Sequence, residues 1–149
     1  MRASGTFTSV GFEPVPSPAE PAVVTALPVG LATMQKHYDG EVQGRSATWF
    51  TSAFSQSTGV GTYVAPESFE GSLGGACGAC GAFNFAHSAT TSGTDRTDEF
   101  FTIVPTSGTG ELAGIRGSGA MAIDPDGTHR IWFDHELGQS SVRPDGSAG

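Results

Sequence analysis

The sequence predicts an all-β protein: a single closed antiparallel barrel of about eight strands. Three observations carry this expectation. No window of helical length holds an i, i+3, i+4, i+7 apolar stripe free of Gly or Pro. Turn signals recur instead at strand-plus-turn spacing, as in antiparallel sandwiches and barrels. About eight alternating segments can be counted, the number at which a small barrel closes around side chains or one small ligand. The 149 residues suffice for one domain with a real core, and 22 Gly and 9 Pro against 15% charged residues favour short elements and many turns.

The elements follow in order. Ala3 to Val10 alternates and reads as a first strand. Glu13 to Pro21 holds four prolines and reads as an extended surface loop. Val23 to Leu27 reads as a short strand, ended by Pro28 and Gly30. Ala32 to Tyr38 follows, with Met34, Lys36 and Tyr38 on one face and Gln35 and His37 on the other; Asp39-Gly40 signals a hairpin. Ser46 to Phe54 is a strand whose two faces cannot be ranked by polarity. In Thr62 to Leu73, Tyr63, Ala65, Glu67 and Phe69 share a face.

Gly71 to Gly81, with five glycines and both cysteines, reads as a loop. Ala82 to Ala89 is a strand that puts Phe83, Phe85 and His87 together, and Thr90 to Asp95 is a polar turn. Asp98 to Val104 divides into Glu99, Phe101, Ile103 against Phe100, Thr102, Val104. Pro105 to Gly110 turns again, and Ser118 to Ile123 carries Met121. Asp124-Pro125-Asp126-Gly127 is a strong turn signal before the last strand. There His129, Ile131, Phe133, His135 and Leu137 fall on one face, and Thr128, Arg130, Trp132, Asp134 and Glu136 on the other. The barrel domain is thus expected over residues 1–137, with a flexible tail over 138–149.

Composition narrows function. A net charge of -8 and a pI near 4.7 oppose phosphate backbones and anionic lipid, so neither nucleic acid nor membrane is an expected partner. No apolar run has membrane-spanning length, the N-terminus lacks a signal-peptide core, and two cysteines make no disulfide scaffold, which points to the cytoplasm. No G-x-x-x-x-G-K-[ST] phosphate loop and no G-x-S-x-G elbow exist.

Several stretches are similar to a bacterial family of small proteins of unknown function. They are Lys36-His-Tyr-Asp-Gly40, Tyr63-Val-Ala-Pro-Glu-Ser-Phe69 with Gly71, Phe83 to His87, Val104-Pro105 running to Gly108-Thr-Gly-Glu-Leu-Ala-Gly-Ile-Arg-Gly117, and Ile123-Asp-Pro-Asp-Gly127 with His129. The resemblance covers nearly the whole chain after Leu31 and the Ala3-Ser-Gly-Thr-Phe7 opening. The family resembles the allene oxide cyclase barrel, related in shape to lipocalins and dirigent proteins. The resemblance implies a barrel with a lumen and a homo-oligomer such as a homodimer, but no activity, since one fold hosts many functions. The chain departs from the family pattern at Glu99, where an aliphatic residue is usual, at His135, where Tyr is usual, and in an enlarged Cys77–Cys80 segment.

If the apolar faces point inward, Lys36, Tyr63, Glu67, His87, Glu99, His129 and His135 ride with them into the lumen. Buried charges need partners, and Glu67 is the natural counter-charge of Lys36, the single lysine. Histidines suit acid–base work, so His87, His129 and His135 are candidate acids or bases. Glu67 and Glu99 would orient or deprotonate, and Lys36 would stabilise negative charge. The structural alternative is a satisfied polar network that fixes register. Tyr63, Phe69, Phe83, Phe85, Phe101, Met121, Phe133, Met34 and Tyr38 are the expected substrate-binding wall. His37 should be a solvated surface residue, and Trp132, on the charged face of its strand, a seat for a partner subunit or a residue under a loop. Cys77-Gly-Ala-Cys80 has the spacing of a redox pair or half a zinc site, but lacks a second ligand pair and a helix start; a flexible loop fits better. The expected function is an apolar-ligand barrel, a cyclase or isomerase needing no cofactor and no metal; the alternative is a non-catalytic carrier.

Overall fold

The computed structural model describes residues 1–16, 18–75 and 78–138. It consists of eight strands, β1 (Arg2–Pro14), β2 (Val29–Gly40), β3 (Val42–Ser55), β4 (Val60–Leu73), β5 (Ala79–Ser92), β6 (Asp95–Ile103), β7 (Arg116–Ile123) and β8 (His129–Glu136). Each pairs antiparallel with its neighbours in sequence, and β1 also pairs with β8, so one sheet closes into a ring. The all-β expectation and the strand number hold. The turn before β8 forms as its residues dictate: Gly127 has φ +89° and its N–H bonds Asp124 C=O, while Asp124 N–H bonds Thr128 C=O.

Closure requires strands to bend, and glycines supply the bends. Gly44 and Gly71 face each other across β3 and β4, at φ +146° and +155°. A Cβ on Gly71 would lie 2.0 Å from Gln43 O, so no other residue fits without moving backbone.

The expected boundaries fail in several places, among them three that bear on the loops. Val23 to Leu27 is not a strand: Val23 and Val24 are 74% and 97% exposed and flanked by Pro21 and Pro28, which cannot complete a ladder. The Gly71–Gly81 loop is narrower, because Gly71, Ser72 and Leu73 pair with Gly81, Cys80 and Ala79. The Thr90–Asp95 turn shrinks likewise, since Ser92 pairs with Asp95. Cys77 and the tail from residue 139 onward lie outside the described residues.

Inward faces follow parity. In β3 the even positions Ser46 and Thr48 are buried and Ala47 and Trp49 exposed, which settles the face that polarity could not rank. One end of the interior is packed solid by Phe69, Phe83, Phe85, Ile131 and Phe133, each at most 1–2% exposed. Residues 104–115 fold over that end. Their backbone and hydroxyls bond β5 at Ala82 and Asn84, and a short 3-10 turn, Gly110–Leu112, drives Leu112 into the core. Burying one such side chain contributes about 1.5–3 kcal/mol. Among the described residues no helix is long and apolar enough to cross a membrane.

Candidate functional site

The other end of the interior is open. A cavity of about 500 Å3 lies there, with Phe12, Phe50, Phe54, Ile123 and His129 toward its mouth and Lys36, Tyr63, His87 and Arg96 among its polar lining. Met34 and Met121 also line it.

The floor is built by register. Thr48 of β3 stands opposite Glu67 of β4, and Glu67 opposite Phe85 of β5. Lys36 stands opposite Ser46, and His87 of β5 between Ala65 and Phe101. Five donors therefore converge on the Glu67 carboxylate. Lys36 Nζ donates to Oε2 at 2.7 Å, and His87 Nε2 reaches the same oxygen. Tyr38 Oη, Ser46 Oγ and Thr48 Oγ1 donate to Oε1 at 2.9, 2.8 and 2.9 Å. The expected Lys36–Glu67 pair is formed, with both side chains at most 6% exposed.

The line continues toward the cavity. Tyr63 Oη lies 2.8 Å from His87 Nδ1, and Arg96 Nη2 donates to Tyr63 Oη at 2.6 Å. Arg96 Nε donates to Glu99 Oε2 at 2.9 Å. With Arg96 donating, the Tyr63 hydroxyl is free to donate to Nδ1, which leaves the proton on Nε2 to face Glu67. Aromatic rings fix the imidazole: His87 lies nearly parallel to Phe85 and Phe101, 5.7 Å from each centroid, and those two phenyls stack on each other at 5.2 Å. Phe50 stacks on Tyr63 at 5.2 Å.

The charges follow from this arrangement. Burial, the largest influence on Glu67, opposes its charge, but the bond from His87 and the Lys36 charge together hold the carboxyl far below its ordinary range. Burial lowers Lys36 against the pull of Glu67. Burial also lowers His87, against its bond to Glu67, so the imidazole is neutral at neutral pH. Tyr38 is pushed up, first by burial and then by Glu67.

The expected site residues therefore divide. Lys36, Tyr63, Glu67 and His87 come together. His129 is at the mouth and exposed, its ring 5.1 Å from Phe7; burial, then Lys36, lowers its pKa. Glu99 is not in the lumen: its side chain is 23% exposed, paired with Arg96 and accepting the Met121 N–H at 3.3 Å. A bulge at Asp98, φ +53°, explains the error. His135 is buried but at the opposite end, opposite Gly117, with Nδ1 lacking a partner among the described residues. Of the expected binding wall, Met34, Tyr63 and Met121 line the cavity. Tyr38, Phe69, Phe83, Phe85, Phe101 and Phe133 do not; they pack in the core, because the interior is filled at their end. His37 is exposed as expected. Trp132 carries Arg2 over its ring at 5.8 Å. Cys80 is exposed; among the described residues it has no disulfide partner, and no group of three or more His, Cys, Asp or Glu is placed to hold a metal.

Sequence reading missed Arg96, Ser46, Thr48 and Phe50. For the β3 residues a signal existed: Ser46 and Thr48 share parity with Phe50, so one face carries both the hydroxyls and the aromatic.

Residues 3–135 match the model of a family described as "Protein of unknown function (DUF3224)". A crystal structure of a DUF3224-family protein of unknown function from Shewanella oneidensis is similar, with 29% identity and a TM-score of 0.72 over 93% of this chain and 98% of that one. No curated protein matches the chain. The family model spans the ring from β1 to β8, and the chain belongs to the DUF3224 family.

Proposed function

We propose that the ring is an allene-oxide-cyclase-like barrel whose cavity takes an apolar small molecule and isomerises or cyclises it by proton transfer, without a cofactor. The observation that carries this is the unbroken line Arg96–Tyr63–His87–Glu67–Lys36 at the floor of an apolar-mouthed cavity. Tyr63 is the group positioned to exchange a proton with substrate. Burial raises the Tyr63 pKa and Arg96 opposes that rise; the phenolate forms as His87 Nδ1 takes the phenolic proton, and Glu67 stabilises the imidazolium that results. The phenolate then removes a substrate proton next to a carbonyl, Lys36 N–H holds the enolate oxygen, and the proton returns at a second atom. Such acid–base assistance is worth roughly 10²–10⁴ in rate.

One observation favours a second reading, a carrier. Both His87 ring nitrogens are already engaged, by Tyr63 and by Glu67, as in a network that only holds its shape. Native mass spectrometry of a co-purified ligand, followed by incubation in D2O, separates the two. Deuterium entering the ligand with the wild type, and not with His87→Gln, supports the enzyme. A ligand held and released without label supports the carrier and removes the proton line from catalysis.

A further inference from the structure

The cavity is electrostatically unlike the rest of the molecule. The chain carries 15 acidic and 7 basic residues. Two of those seven, Lys36 and Arg96, line the cavity, and no carboxylate does among the described residues. The two acids nearest these cations lie behind the wall. Glu67 is buried beneath the floor with five donors already on its oxygens. Glu99 holds Arg96 from the seam between β6 and β7. Each therefore positions a cation without presenting its own oxygens to the cavity.

Donors remain available. Lysine carries three N–H groups, and Glu67 takes one from Lys36. Another direction of the ammonium is closed by the Phe7 ring, 4.8 Å from Nζ. Arg96 spends Nε on Glu99 and one Nη2 hydrogen on Tyr63, which leaves part of its five-donor fork. The apolar part of the wall includes Phe7, Met34, Phe50, Phe54, Met121 and Ile123, and neutral polar side chains complete it.

Resting on the reading that the cavity binds a small molecule, we propose that its ligand is an apolar body ending in one acidic oxygen group, a carboxylate or an enolate, seated between Lys36 and Arg96. A cation would meet two like charges there without a facing acid. A fully apolar guest would strip water from two cationic heads without replacing its hydrogen bonds. An anion supplies both the charge and the acceptors, and Arg offers a carboxylate a paired donor geometry.

A matched pair of probes tests this: 1-naphthylacetate and its neutral amide, titrated calorimetrically into the full chain. The acid is expected to bind at least tenfold tighter than the amide. Arg96→Gln is expected to weaken the acid far more than the amide and so to remove most of that difference. Because Lys36→Met alone would strand the buried Glu67, the second variant is Lys36→Met with Glu67→Gln, which should also erase the preference for the acid. Equal binding of acid and amide by the wild type overturns the anion proposal and leaves an apolar cavity standing. A preference that survives both variants also overturns it. Binding of neither probe overturns it together with the small-molecule reading.

Discussion

Glu67 shows at the residue scale how much one buried charge depends on its neighbours. It is 2% exposed and satisfied only because β2, β3 and β5 each bring a donor. Glu67→Ala strands Lys36 in the interior and is expected to cost about 3–5 kcal/mol in urea unfolding. Lys36→Met with Glu67→Gln removes the pair together and should cost distinctly less; equal losses would mean the ion pair is not what the site depends on. Acid sensitivity follows from His87. Burial holds its folded pKa below the ordinary 6.5 against the bond to Glu67. As pH falls through 6.5 the unfolded chain takes up a proton before the fold does, so stability present above that value drains away below it. The depressed Glu67 carboxyl acts in a more acidic window, below its ordinary 4.5. His129 and His135, also lowered by burial, push the same way as His87. His87→Gln should therefore lose less of its unfolding midpoint than the wild type between pH 7.5 and 5.5. An equal loss would show that His87 does not titrate there. The Lys36–Glu67 pair was legible in the sequence, since each lies mid-strand at the parity of neighbouring apolar residues and the chain has one lysine.

At the scale of elements, parity worked wherever strands were regular and failed at bulges. In β5 and β6, Thr97 pairs with Thr90 and Phe100 with Ser88, so Asp98 and Glu99 together oppose Ala89. The extra residue shifts the phase of β6. Arg96, an even position, and Phe101, an odd one, consequently share the inward side. Alternation read straight through this strand puts Glu99 inside and leaves Arg96 out, the reverse of what the ring shows. No residue type announced the bulge, because the positive φ sits on Asp98 and not on a glycine. His135 was misplaced for another reason: parity gives the face of a strand, not the end of the ring at which a side chain stands. The glycine bends, by contrast, carry their own evidence. Gly71→Ala places a Cβ 2.0 Å from Gln43 O at φ +155°, and should cost at least about 1–3 kcal/mol. Thermal unfolding measures this, and an unshifted midpoint would mean β3 and β4 can separate there freely.

The whole ring separates stability from binding along its axis. Sequence parity counted Phe69, Phe83, Phe85, Phe101 and Phe133 as cavity wall, because it carries no information on how far along the ring the packing extends. In the molecule, Phe133 meets Phe69, Phe83, Phe85 and Phe101 at the filled end and is fully buried. Phe50 stands at the open end, half-buried, stacked on Tyr63 and touched by exposed Phe12. Removing a packed phenyl ring leaves a hole that the surrounding rings cannot close, at about 3–5 kcal/mol. Phe133→Ala should accordingly show that loss in denaturant unfolding, yet keep the affinity of the cavity for 1-naphthylacetate within about twofold where the variant remains folded. Phe50→Ala should do the opposite, with a smaller loss of stability and an affinity lowered several-fold, because Tyr63 loses the ring that holds it against His87. If Phe133→Ala weakened binding as much as Phe50→Ala, the two ends would be coupled through the ring wall, and the packed end would have to be counted as part of the site.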